Sequence, residues 1–262
     1  MTGSGNGDGG KVPIPSRKRR GGLERPLQRR FYAAATVAVE PRGAVVLLDG
    51  RSLRTPKKRA LVVPTRALAE AIAGEWSAQG ERIDPATMPI TRLVNTAFDG
   101  VADHAAAVRA DIVKYAGSDL LCYRAAGPAG LVAAQSARWD GVLTWAHEAL
   151  GARFAVATGL MPVGQPAEAI EAVARSIAGL DVLRLAALHV MTTLTGSALL
   201  ALAQLRGCID VDAAWAAAHV DEDWQISQWG ADAEASARHA ARRLEMQAAS
   251  RLLALLGPVN AA

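Results

Sequence analysis

The stretch YAAATVAVEPRGAVVLLDGRSLRTPKKRALVVPT, residues 32–65, decides the fold, because the hydrophobic period changes inside it. YAAATVAVE, AVVLLDGRSLRT and RALVVP are short runs rich in β-branched residues, separated by Pro41-Arg42-Gly43, Asp49-Gly50 and Lys57-Lys58-Arg59. Asp-Gly between apolar runs is a strong hairpin signal, since both central positions of the tight turn need positive φ. A small antiparallel sheet is therefore expected. At Thr65 the pattern switches: a threonine after Pro64 is a good N-cap, and Leu68, Ile72 and Trp76 then recur every four residues along one helical stripe.

Outward from that switch the chain reads as helix. Asp84-Pro85 and Met88-Pro89 punctuate it, and helical spacing returns over 103–116 with Val108, Ile112 and Tyr115. Residues 128–150 carry Leu131, Gln135, Trp139 and Val142, while RFAVATGLMPV at 153–163 suggests a short extended excursion. Four further helices are expected over 166–178, 181–205, 212–229 and 232–255, three of them opened by an aspartate: Asp181, Asp212 and Asp232. Composition agrees, because the 262 residues include 56 alanines but only 5% aromatics. The fold class is α+β. A basic tail at 1–28 precedes a small antiparallel β-rich domain at 29–64 and a larger all-α domain at 65–262.

Charge is uneven. Residues 1–30 hold eight basic and two acidic side chains, so the net +4 of the chain resolves into +6 there and −2 over the rest. Almost no apolar residue precedes Leu23, and such a segment cannot bury enough surface to fold. A disordered tail is expected, with a phosphate-binding arm as the alternative. It has neither the apolar run of a secretory signal nor the amphipathic stripe of a mitochondrial transit peptide. Leu185–Leu205 is long enough to span a bilayer. His189, three threonines, Ser197 and Gln204 interrupt it, so a buried helix is the expectation and membrane insertion is not. Cys122 and Cys208 stand alone, without a CxxC or Cys/His cluster, which suits a reducing cytoplasm.

The signatures of common chemistries do not occur. There is no GxxxxGK[ST] phosphate cradle, no GxSxG elbow and no HExxH, and His104, His147, His189, His219 and His239 are isolated along the chain. His147 and Glu148 are adjacent and point to different sides of a helix. No cofactor, no metal and no catalytic residue is assigned. Asp221, Glu222 and Asp223 point in three directions, and a solvated acidic turn accounts for two of them. Glu222 differs, because Trp215, His219, Glu222, Ile226 and Trp229 are spaced 4, 3, 4, 3 along one seam. An unpaired carboxylate buried there would cost several kcal/mol. Glu222 is therefore either paired internally, for instance with His219, or turned toward a partner.

Taken together, RRFY (29–32), LDGRSLRTP (48–56), LAEAIAGEW (68–76), MPITRLVNTAFD (88–99), SDLLCYRA (118–125), Gln135 with WDGVLTWA (139–146) and EDWQISQWG (222–230) resemble a known family. It is the assembly-chaperone family for the catalytic head of the F-type ATP synthase, called ATP synthase assembly factor two in mitochondria and present in alphaproteobacteria. The resemblance covers roughly residues 28–256 and implies a non-enzymatic chaperone. Its partner would be the free alpha subunit, shielded at the interface that later meets the beta subunit. The resemblance places partner contacts at Glu222, Gln225, Trp229 and Gly230, followed by Asp232 and Glu234, and makes Trp76 and Trp139 structural. Specific nucleic-acid binding is not expected. A nucleic-acid helper using the tail and an unrecognised hydrolase are the rival readings; a deep polar pocket with shifted titrating groups would favour the second.

Overall fold

The computed structural model describes residues 26–159, 161–230 and 232–258; the tail reading of residues 1–25 lies outside them. Strand β1 (Ala35–Glu40) pairs antiparallel with β2 (Gly43–Leu48), in register from Ala35 opposite Leu48 to Glu40 opposite Gly43. β2 then turns into β3 (Arg51–Ser52) through Asp49 and Gly50, whose φ values of 47° and 78° are those an Asp-Gly hairpin demands. β4 (Val62–Val63) pairs with β2 beside β3, on the edge opposite β1, leaving β2 central with Ala44, Val46 and Leu48 buried. The Asp49 carboxylate accepts from the amides of Ala33 and Ala34, which fixes the approach to β1 and lowers the Asp49 pKa.

Helix α1 (Arg66–Ser77) starts as the sequence predicts, with the Thr65 hydroxyl accepting from Leu68 N. The same hydroxyl donates to Leu255 O, tying this start to the far end of the chain. Glu75 caps the next helix, α2 (Pro89–Thr96), by accepting from the amides of Ile90 and Thr91 at 2.8 Å each. A wide π-turn, Ala97–Val101, then leads into α3 (Ala102–Ala116). The loop before β4 is bound to that turn through Asp99, which accepts from Thr55 Oγ1 and Lys57 N.

After α3, a two-residue strand β5 (Tyr123–Arg124) pairs parallel with β6 (Ala157–Thr158), across the long helix α4 (Ala129–Leu150). α5 (Ala167–Ile177) follows. The helix expected over 181–205 is two helices, α6 (Val182–Thr195) and α7 (Ala198–Leu205). Gly196 ends α6 in the left-handed region at φ 69°, and Ser197 caps α7 by accepting from Leu200 N. The apolar stretch is thereby folded back on itself inside the core; among the described residues no helix is long and apolar enough to cross a membrane. Two of its polar members are paired internally: His189 Nε2 lies 2.8 Å from Asp111, and the Ser197 hydroxyl donates to Asp119.

The expected helix 212–229 is also two, α8 (Val211–Ala218) and α9 (Val220–Trp229), broken at His219 with φ −116° and ψ 18°. The cap of α8 is Asp210, which accepts from Ala213 N, in place of the expected Asp212; Asp212 instead pairs with Arg243. Asp181 and Asp232 cap α6 and α10 (Ala233–Leu256) in the places the sequence predicts. Sheet and helices share one buried cluster, in which Val46, Ile72, Ile112, Trp139, Leu188, Leu200 and Leu252 all take part. This is the expected α+β architecture: a small antiparallel sheet near the N-terminus and a larger helical region behind it.

Candidate functional site: the outward face of α9

A ten-residue helix shows period-3.6 sidedness, so Glu222, Gln225, Ile226 and Trp229 share one face and Asp221 and Trp224 lie on the other. The structure separates these two sets. Asp221 accepts from Gln135 Nε2 at 2.7 Å, while Gln135 Oε1 accepts from Ala125 N at 2.9 Å. Gln135 is buried, and through these bonds it clamps α4, the segment after β5 and the start of α9 together. Asp221 is therefore not a solvated member of an acidic turn. Trp224 lies against Gly130 of α4 so closely that a Cβ there would sit 2.4 Å from the indole ring. These contacts hold α9 against α4 and leave its other face free.

On that face Glu222 and Gln225 are exposed, Ile226 is 46% exposed and Trp229 is 88% exposed. The seam expected from Trp215 to Trp229 thus does not run through one buried surface. The break at His219 turns the chain, so Trp215 and His219 are buried and Glu222, Ile226 and Trp229 are not. Gly230 ends α9 at φ 86°, a conformation that favours glycine, and donates its amide to Ile226 O. Asp232 and Glu234 lie beyond it on α10 with their carboxylates engaged: Asp232 caps the helix, and Glu234 accepts from Arg238 at 2.5 Å.

The two tryptophans assigned to structure occupy different settings. Trp139 is fully buried, donates its indole N–H to Ala217 O at 2.7 Å and lies under the Arg124 guanidinium. Trp76 is half-buried at the end of α1, edge-on to Tyr32, whose hydroxyl donates to the Trp76 carbonyl. Sequence reasoning missed two residues that position α9, Gln135 as a clamp and Trp224 as its anchor. A glutamine standing in the Leu131–Val142 stripe was the available signal for the first. For the second there was none, because Trp224 falls outside the seam.

A cleft of about 830 Å³ lies between the sheet, α1 and α2 and is lined by Phe31, Tyr32, Arg51, Trp76 and Arg92 among others. Its shifted groups have structural work. Asp49 is held low by backbone amides, and Tyr32, raised by burial, donates to the Trp76 carbonyl. This offers a hydrolase reading no acid–base pair.

Residues 29–147 match the family described as ATP12 chaperone protein. The solved structure of Atp12 from Paracoccus denitrificans is 43% identical, with a TM-score of 0.84 over 88% of this chain and 99% of that one. A single-substitution variant of the same Atp12p superposes equally well, over 98% of its length. A protein of Agrobacterium tumefaciens described as a candidate chaperone is 50% identical, with a TM-score of 0.85 over 90% of this chain and 88% of that one. Given identity at this level along nearly the full length of those proteins, the chain belongs to the ATP12 chaperone family.

Proposed function

We propose that the protein is a non-enzymatic chaperone for assembly of the F-type ATP synthase catalytic head, which binds the free alpha subunit in the cytoplasm and covers the surface that later meets the beta subunit. Family membership supports the chaperone role in ATP synthase assembly. The observation that carries the contact surface is the outward face of α9, an almost fully exposed tryptophan beside a half-exposed isoleucine on a helix braced from behind. Large exposed aromatics rimmed by polar groups mark protein-binding surfaces. Glu222 and Gln225 give that surface a charge and hydrogen-bonding capacity, so an arginine or amide of the client would find a partner there. Gly230 closes the face.

Binding of purified alpha subunit by the wild type and two variants tests this. Glu222→Gln keeps volume and removes charge, so stability should stay within about 1 kcal/mol while affinity falls about tenfold, or ~1.4 kcal/mol. Trp229→Ala should weaken binding about thirtyfold, as expected for a central aromatic anchor. Unchanged affinity in both variants would remove α9 from the contact. Loss of thermal stability in Glu222→Gln, with affinity retained, would make Glu222 an internal partner of His219.

A further inference from the structure

Histidines that the sequence keeps twenty residues apart are neighbours in space. His219, at the break between α8 and α9, and His239, on α10, lie edge to face with ring centroids 4.6 Å apart. Glu222 stands one turn along α9 from His219, and one ligand atom from each of the three residues falls within 4.8 Å of the other two. His239 is the one residue between Ala233 and Glu245 that is not exposed; it and His219 both pack on the Trp215 indole. His219 Nδ1 lies 2.8 Å from Trp215 O. A carbonyl can only accept, so the proton sits on Nδ1 and the Nε2 lone pair is free, the orientation that a backbone carbonyl imposes on a metal-ligating histidine.

We propose that His219, Glu222 and His239 form a site for a borderline divalent transition metal, of which zinc is the natural occupant, with water completing a four-coordinate shell. Two imidazoles and one carboxylate suit zinc, cobalt or nickel and do not suit calcium or magnesium, which take oxygen ligands. Burial lowers the His219 pKa and so favours the neutral imidazole that a metal requires, with Arg242 and His239 acting in the same sense and the Trp215 carbonyl and Glu222 against it. Ligand atoms in a tetrahedral zinc shell lie about 3.4 Å apart. Glu222 is exposed and His239 half-exposed, so rotation of their side chains closes the remaining gap. The metal would staple α9 to the start of α10 across residues 230–232.

The test is a titration of the full chain, stripped with a chelator and carrying Cys208→Ser to remove the exposed thiol, with Co²⁺ and then Zn²⁺. One equivalent of cobalt should give the visible absorption of a tetrahedral site, zinc should bleach it, and zinc should raise the melting temperature. His239→Ala and Glu222→Gln should each weaken binding at least tenfold, and His147→Ala should leave it unchanged. Circular dichroism establishes that the variants are folded; if His239→Ala is not, Glu222→Gln, altered at an exposed position, decides. Binding that survives these substitutions, or none up to 100 times the protein concentration, overturns the proposal. No client is present in the titration, and the stability expected above for Glu222→Gln is that of the metal-free protein, so failure of the titration is independent of the alpha-subunit reading.

Discussion

Asp119 is the most deeply committed charged residue of the fold. It is fully buried, and its carboxylate accepts from Ser197 Oγ and from the amides of Leu199 and Leu121, joining the 118–122 segment to the start of α7. Burial outweighs these bonds and pushes its pKa up to about 6. A carboxyl that holds its proton more tightly when folded stabilises the protein fully below its unfolded pKa, near 4, and that contribution is lost as the pH rises to about 6. Between pH 4 and pH 6.5 the wild type should therefore lose roughly 2 kcal/mol relative to Asp119→Asn. Urea unfolding of the pair across that range measures the difference, and a pH-independent gap would show that the carboxyl is ionised throughout. Gln135 acts at the same scale. Gln135→Leu leaves Ala125 N and Asp221 without their partner and should cost about 2–3 kcal/mol.

At the scale of elements, α9 depends on what is missing from α4. Gly130 has no side chain, and Trp224 fills that space. Alanine for glycine would add up to about 1 kcal/mol of helix propensity in α4, yet the new methyl collides with a ring that overlaps its position. Overpacking of that kind costs about 1–3 kcal/mol, so the collision wins. Gly130→Ala should lower the denaturation midpoint and shift tryptophan fluorescence toward that of an exposed indole. It should also weaken client binding without touching the contact face. An unchanged midpoint would mean that α9 repositions freely. Both helix breaks were invisible for a common reason: continuous apolar or seam-like spacing persists across Gly196 and His219, and periodicity reports burial and not continuity.

For the whole molecule, the basic residues before Pro26 contribute little apolar surface, whereas Leu27 O and Gln28 O accept from Arg82 and from Ile83 N. Deleting residues 1–25 should leave the melting temperature unchanged. Deleting through Gln28 should lower it, because those two bonds are then lost; equal values for the two truncations would contradict that assignment. The sequence lacks a phosphate cradle, so calorimetry with ATP should give no saturable heat at micromolar concentrations. A saturable isotherm would reopen the enzymatic reading.

The sequence by itself determined the sheet-to-helix order, the Asp49-Gly50 hairpin and the caps at Thr65, Asp181 and Asp232, because each is set by residues within a few positions of one another. The blocks from RRFY to EDWQISQWG were equally legible, and they carried the family. Only the tertiary structure decided which side of α9 is free. That side follows from Gln135 and Gly130, some ninety residues upstream, and from the break that buries Trp215 and His219 but exposes Trp229. It likewise decided that His219 and His239 meet. No local rule pairs them, since the approach of α10 to the break between α8 and α9 and the Trp215 ring they share exist only once the helices have packed.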